Sequence, residues 1–446
     1  MPRGLITALI LIGLMQASDA RGSTELAEVQ AVETKAKTDS ATAPAKAADD
    51  DLTRQARRLV RQLDAAEIAA RDRAFAELVK LGPGVLEHLP KASDNPPAAV
   101  GDAVRRLRRE FDRQAADQAM QAATITLQGK GIGLPRVAEE FEKQTGNKLV
   151  LETPAETTVD VDLEKAPFWK ALDTIADRAK LSVYSFAQDG VQLRSAMPDQ
   201  RPRSEGAFYN GPLRFQATGL RLERDLRTHD EALLHVALEV SWEPRLRPIT
   251  LRQKLDAVQA RDEQGGPLSV AGQGERSALV HQGASAVELE LPLKAPPRSV
   301  QSIATLKGTV EVLIPGKLEA FEFSGLENAK KTEQQRHNAT VTLDSVRKVN
   351  DVWEVRVRVK YAETFNAFDS HLVSWLLNNE AYLVDSKGAR MENGGFETTN
   401  RTEDEIGVAY FFEVEQGLAG HKFVYQTPST IYQLPVQYEL KDLELP

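Results

Sequence analysis

Between Thr124 and Arg194 the spacing of apolar side chains switches between two periods. Thr124–Gln128 alternates apolar and polar residues as a strand does, whereas Pro135–Gly146 puts Val137, Ala138 and Phe141 on one side as a helix does. Lys148–Glu152 is again strand-like. In Thr158–Glu164, Val159, Val161 and Leu163 face one way and Asp160, Asp162 and Glu164 the other. A second helix over Ala166–Lys180 carries Phe168, Trp169, Leu172, Ile175 and Ala176, and Leu181–Ser195 closes as a hairpin turning at Asp189-Gly190. This order predicts a compact α+β layer over residues 121–200.

Upstream, residues 52–120 are helical in pattern. Leu59, Leu63, Ile68, Phe75, Leu78, Val79 and Leu81 recur at helical spacing, with Asp64 as N-cap and Gly82-Pro83 as stop. A short helix over Pro83–Pro90 and a longer one from Ala98 to about Met120 follow. The segment resembles one HEAT-like helical repeat, a unit that needs a neighbour to close its core. The run Arg105-Arg106, Arg108-Arg109 sits among acids and reads as a solvated helix face rather than an anion site.

From Arg201 onward alternating strands dominate, in two similar sets. Leu213–Pro244 parallels Ala339–Glu363, Lys254–Leu268 parallels Glu380–Met391, Ala286–Leu293 parallels Gly407–Val414, and Ser299–Pro315 parallels Thr430–Leu445. Asp262/Gly265 and Asp385/Gly388 mark matching type I turns. The expectation is two tandem immunoglobulin-like β-sandwiches, 201–326 and 327–446. The fold class expected for the whole is multidomain α+β: a helical segment, a small α+β domain and the two sandwiches. The β-rich block also resembles uncharacterised secreted bacterial proteins with segments like Trp242–Pro248 and Phe396–Thr399, which implies no activity.

Residues Gly133–Glu152 and Val159–Phe186 are similar to the short N-terminal (STN) domain shared by secretins and TonB-dependent receptors. Thr145-Gly146 stands where that family turns from helix to strand, and Ala166-Pro167 where its strand enters the second helix. The resemblance implies extracytoplasmic placement beside a pore and contact with proteins or small ligands. No run of barrel strands follows, so the chain reads as neither a secretin nor a receptor.

Composition fits export. Arg3, the apolar run Leu5–Met15 and Ser18-Asp19-Ala20 form a secretory signal peptide over 1–20, too short for a membrane span. Residues 21–51 lack large apolar side chains and read as a disordered linker. After cleavage no integral span is expected, and the mature chain is placed in the periplasm or outside the cell. A net charge of −9 argues against nucleic acid as partner, and zero cysteines remove disulfides, thiolate nucleophiles and a lipidated cysteine.

The candidate chemistry is thin. Gly129, Gly131 and Gly133 look like a phosphate loop, yet they lie two apart, Leu134 holds the position of the third required glycine, and Pro135 removes a donor at the helix start. A tight strand-to-helix turn is the reading. His88, His229, His235, His281, His337, His371 and His421 form no zinc-protease motif, and Asp160–Glu164 fails as a calcium loop at Lys165 and Ala171. Ser345–Lys348 matches S-x-x-K by spelling only, with Ser93-Asp94-Asn95 on the wrong side of it. Asp344, Glu354 and Glu380 cannot be set opposite one another from sequence. Trp242, Trp353, Trp375, Tyr382, Tyr410 and Tyr432 offer rings for stacking on sugars, but the set Trp353, Val355, Val357, Val359, Tyr361 reads as a core face. On the opposite side Arg356, Arg358 and Lys360 offer grip on an anionic polymer. With Trp375 they are the candidate ligand-binding residues; no catalytic, metal or cofactor residues are assigned, and no cofactor is expected. The expected function is a non-enzymatic envelope protein that binds or scaffolds other extracytoplasmic components through the STN-like domain. The alternative is a polysaccharide-binding or carbohydrate-active protein using a sandwich face.

Overall fold

The computed structural model describes residues 51–446 apart from 91–93, 155, 188–189, 228–231, 282, 363–373, 378 and 416. The signal peptide, nearly all of the linker, Ser93, Asp189, His229 and His371 lie outside the described residues. The chain divides into two units, Met1–Phe111 and Asp112–Pro446, and is mostly β with several sheets, a multidomain α+β architecture. No helix among the described residues is long and apolar enough to cross a membrane.

The first unit is helical. Helix α1 (residues 51–62), α2 (Ile68–Leu81), a 3-10 turn (Pro83–His88) and the first turns of α3 (Ala98–Ala119) enclose Ala56, Leu59, Leu63, Leu78, Val85, Val104, Leu107 and Phe111. Asp64 is not the N-cap of α2. The chain turns just after Leu63, so Asp64 lies in the turn; Glu67 occupies the cap without a side-chain bond, and Ile68 is 67% exposed. Gly82 ends α2 at φ 80°, which a side chain would disfavour.

The second unit begins with the α+β module. Its elements are β1 (Thr124–Gly133), α4 (Leu134–Thr145), β2 (Leu149–Glu152), β3 (Thr158–Pro167), α5 (Phe168–Ala179), β4 (Leu181–Tyr184) and β5 (Val191–Ser195). The antiparallel pair β1–β3 and the three-stranded sheet β2-β5-β4 supply apolar faces to the two helices. Val137 and Phe141 of α4 and Phe168, Leu172 and Ile175 of α5 are fully buried, as their spacing predicts. The glycine stretch departs from expectation: β1 runs through Gly133, so Gly129–Gly133 is a bulged strand rather than a turn. Gly131, at φ 60°, donates its amide to Asp160 Oδ1 at 2.7 Å, and a carboxylate thus holds a donor that a phosphate loop would offer.

The first sheet pair follows. One sheet is β6 (Ala207–Asn210), β7 (Leu213–Arg224), β8 (Ala232–Trp242) and β13 (Ala286–Lys294), ordered β13-β8-β7-β6. The facing sheet holds β9 (Thr250–Lys254), β10 (Gln259–Asp262), β11 (Pro267–Leu268), β12 (Glu275–Leu279) and the long β14 (Ser302–Pro315). The second pair consists of β15 (Leu318–Ser324), β16 (Thr332–Arg336), β17 (Ala339–Val349), β18 (Val352–Tyr361), β19 (Ala381–Val384), β20 (Arg390–Glu392), β21 (Gly395–Arg401), β22 (Glu405–Phe412) and β23 (Lys422–Pro428), with the short helix α6 (Ser374–Leu377). Its sheets are ordered β16-β17-β18-β22-β21 and β15-β23-β19-β20.

The parallels read from sequence hold for most strands. The order β6-β7-β8-β13 matches β16-β17-β18-β22, and each long hairpin has a bulge at the same place, between Ala217 and Gly219 in β7 and between Leu343 and Ser345 in β17. The two turns agree bond for bond. Asp262 Oδ1 accepts the amides of Gln264 (3.0 Å) and Gly266 (2.7 Å), and Asp385 Oδ1 accepts those of Lys387 and Ala389 (both 2.8 Å).

The expected boundary at 326/327 does not hold. The last strand, β24 (Ile431–Glu444), pairs with β14 along its whole length and adds Val436, Tyr438 and Leu440 to the first core. Strand β15, expected in the first sandwich, pairs with β23 of the second. The second sheet pair is therefore inserted between two adjacent strands of the first. The supposed match of Ser299–Pro315 with Thr430–Leu445 is a strand and its own partner; β23 is the counterpart of β14.

Candidate functional site

The residues proposed for ligand binding are not gathered into a site. On the outer face of β18, the Arg356 guanidinium donates twice to Glu354 Oε1 (3.0 and 2.9 Å), and Arg347 holds the other oxygen. Arg358 is forked onto Asp344 (2.6 and 2.8 Å) and reaches Glu405 at 3.3 Å; Lys360 meets Asp404 at 2.9 Å. The hydrogen bond from Arg347, helped by Arg356, holds Glu354 below the usual carboxylate range, and the Asp344 hydrogen bond raises Arg358. The face is a charge-matched ladder with its cations already engaged. Trp375 sits apart from them, packed against the second core with its ring 5.9 Å from Tyr361. Trp242 and Tyr410 are core, and Tyr382 is stacked beneath Arg390 at 3.9 Å. The carboxylates left open by sequence are likewise taken, Glu380 by Arg390 at 3.0 Å.

A different constellation, invisible in the sequence patterns, joins the α+β module to the first sheet pair. Asp173 lies on the buried face of α5 with no exposed surface. Its Oδ1 accepts from Arg203 Nε at 3.0 Å, and its Oδ2 accepts from Arg214 Nε at 2.6 Å and Tyr209 Oη at 2.8 Å. Arg214, on β7, is fully buried; its second arm bonds Arg203 O and Gln216. Burial, then the Asp173 carboxylate, push the Tyr209 phenol well up, so it donates throughout the physiological range.

A second hub forms where β8 ends in Trp242-Glu243-Pro244-Arg245. Glu243 is fully buried: Oε1 accepts the Ala123 amide at 2.9 Å, and Oε2 accepts from Asn147 Nδ2 at 3.2 Å and Arg245 Nε at 2.6 Å. Asn147, also fully buried, accepts the Arg245 amide at 2.8 Å and stands two residues before β2. Arg245 further reaches the Gln121 carbonyl, and Trp169 Nε1 donates to Pro212 O at 3.1 Å. Burial pushes Glu243 above its ordinary value, against its hydrogen bonds. These polar links tie two separate apolar cores together and fix how the module presents its sheets.

The module's strand edges differ in what covers them. In β1, the Gln144 carboxamide satisfies the Thr126 amide (2.9 Å) and carbonyl (3.0 Å), which a bulge frees from β3. Arg178 donates to the Asp160 carbonyl of β3 at 3.1 Å. On β4, Arg203 Nη1 donates to Val183 O at 3.1 Å, and just beyond the strand the Ser285 amide donates to Ser185 O at 2.7 Å. Strand β2 ends its sheet, pairing in parallel with β5 on one side and with no other strand among the described residues.

No protein-family model matches this chain, and no curated protein or solved structure does.

Proposed function

We propose that this chain is an exported, non-enzymatic envelope protein that binds or scaffolds other extracytoplasmic components, and that its STN-like α+β module takes an extended partner segment on the open edge of β2. Strand addition needs a row of free backbone groups on a rigid base. The edge of β2 supports this reading: it ends the sheet β2-β5-β4 with no strand or side chain bonded to its outer backbone among the described residues, and Asn147, two residues before it, is held by Glu243 and Arg245, whereas Thr126 of β1, Asp160 of β3 and Val183 of β4 carry side-chain caps. We read the two sheet pairs as immunoglobulin-like sandwiches that hold the module at a fixed place. The module is tested in the full chain, because Trp169 and Asp173 are buried against the first sheet pair. Val150→Lys places an ammonium on the edge strand, a device that blocks strand pairing. Capture of envelope proteins by the purified full chain is expected to yield a specific partner that Val150→Lys loses; capture unaffected by that change would rule out the β2 edge.

A further inference from the structure

Strand β6 covers only the first part of β7. It pairs with Leu213–Gln216 and stops before the bulge between Ala217 and Gly219. Beyond the bulge, from Gly219 to Arg224, β7 is bonded to β8 on one side, and no strand or side chain is bonded to its outer backbone among the described residues. Leu220 and Leu222 lie opposite the core residues Val236 and Leu234, yet Leu222 is 54% exposed, and Leu226, just past the strand, is 88% exposed. Arg221 and Glu223 alternate with these leucines, on the side of the sheet that carries His235, and both are exposed. Soluble proteins usually blunt an open edge with lysine, proline or a short strand. Here two leucines alternate with one cation and one carboxylate.

The order of charges selects what fits this edge. When two copies of one strand pair antiparallel about a two-fold axis, one residue meets its own counterpart on the axis, and its neighbours on each side meet across it. Centring on Leu222 sets Arg221 against Glu223 of the second copy and Glu223 against its Arg221, with the Arg224 stem over Leu220. Centring on Arg221 or on Glu223 opposes like charges, and centring on Leu220 puts Arg221 against Gly219 and Glu223 against the bulge. Only the Leu222 register joins opposite charges without opposing like ones. Within one chain Arg221 reaches Glu290 at 3.3 Å and Glu223 at 3.6 Å, exposed pairs that hold weakly and can re-form across the axis. The comparable stretch of β17 beyond its own bulge, Ser345–Val349, also runs past the end of its short neighbour β16. It carries Arg347 and Lys348 with no carboxylate and cannot make this exchange.

We propose that the outer half of β7 is a self-association edge: a second copy of this chain adds its own β7 antiparallel, with Leu222 on the two-fold axis and Arg221 paired to Glu223 across it. The sheets β13-β8-β7 of both copies then run on as one. This goes beyond the proposed contact at β2, which belongs to a different sheet.

Sedimentation velocity of the purified full chain across a concentration series reads the association directly, and the wild type is expected to dimerise. Arg221→Glu and Glu223→Arg each oppose like charges at two symmetric places and should raise the dissociation constant roughly tenfold or more. Mixing the two variants puts opposite charges at both places again and should restore the dimer, as should combining the two changes in one chain. Both side chains are exposed, so neither change disturbs a core. Register is read separately. Residues facing each other across an antiparallel pair have Cα atoms about 4.5–5.5 Å apart, within disulfide range. In this cysteine-free chain Leu222→Cys should therefore oxidise to a covalent dimer, while Thr218→Cys, exposed on the same strand but far from its own counterpart, should not. A wild type that stays monomeric, a dimer indifferent to both charge changes, or equal crosslinking from residues 218 and 222 overturns the proposal. None of these readouts involves a partner captured at β2, so the two proposals fail separately.

Discussion

Asn147 and Glu243 lie 96 residues apart in sequence and share a hydrogen bond of 3.2 Å, although neither has any exposed surface. One residue opens the approach to β2 and the other closes β8, so this contact joins the module's candidate binding edge to the first sheet pair. Buried polar links cost free energy unless each partner is matched, and that cost makes them sensitive to single substitutions.

Asp173 is the acceptor for two guanidinium groups and a phenol. Asp173→Asn removes the carboxylate that pairs with Arg203 and Arg214, leaving Arg214 only Glu239 at 3.7 Å, and is expected to weaken the joint between the module and the first sheet pair by about 3–5 kcal/mol, as for other buried pairs broken on one side. Denaturant unfolding followed by tryptophan fluorescence measures it. A loss under about 1 kcal/mol would mean that the seam is solvated.

Glu243 has a defined pH signature. Its folded-state pKa is raised, with burial the largest cause, so the neutral acid is favoured on folding. The associated stability is fully present below the unfolded carboxylate value of about 4.5 and is lost as pH rises through the folded value. Relative to Glu243→Gln, which stays neutral, the wild type should be most stable in acid and lose ground as pH rises. Thermal melts of both proteins across that range test it; a wild type that gains on the variant with rising pH would contradict the assignment.

Strand β24 should be indispensable to a core that lies mostly far upstream. Tyr438 stacks on Phe215 with centroids 5.2 Å apart, and a Cβ on Gly308 would collide with its hydroxyl. Tyr438→Ala is expected to cost about 3–5 kcal/mol, and Gly308→Ala about 1–3 kcal/mol through overpacking. Hydrogen exchange should show the loss of protection in β7, β8 and β14 before β18 and β22. Loss confined to β18 and β22 would refute the strand assignment.

The ladder on β18 should not grip polyanions. Arg356, Arg358 and Lys360 are each engaged by carboxylates, so changing all three to Ala should shift retention on a sulfated-polymer column by less than about twofold in salt. Trp375→Ala should lower the melting temperature through lost packing on the second core. Strong retention abolished by the triple change would restore the anionic-polymer reading.

Much of this architecture was legible because periodicity reports burial. Val355, Val357, Val359 and Tyr361 are fully or almost fully buried as their alternation predicts, and α4 and α5 bury the faces their spacing marks. The matching Asp262 and Asp385 turns were legible because their chemistry is local. Alternation does not say which strand lies beside which: β14 and β24 look alike because both are long half-buried strands, and the pattern could not separate a repeat from a partner. Asp173 was missed for a related reason. A single acid among Leu172, Ile175 and Ala176 signals burial only once its arginines, 30 and 41 residues away, are brought to it. The one available signal was a carboxylate on an otherwise apolar helix face.

Site-specific photo-crosslinking from Val150 in the full chain, in the cell that makes it, bears most directly on the proposed role. One dominant adduct to another envelope protein is expected, absent when the photoreactive residue is placed on Glu333 of β16, an edge strand of the second sheet pair. No adduct from position 150, or the same set of adducts from both positions, would contradict it.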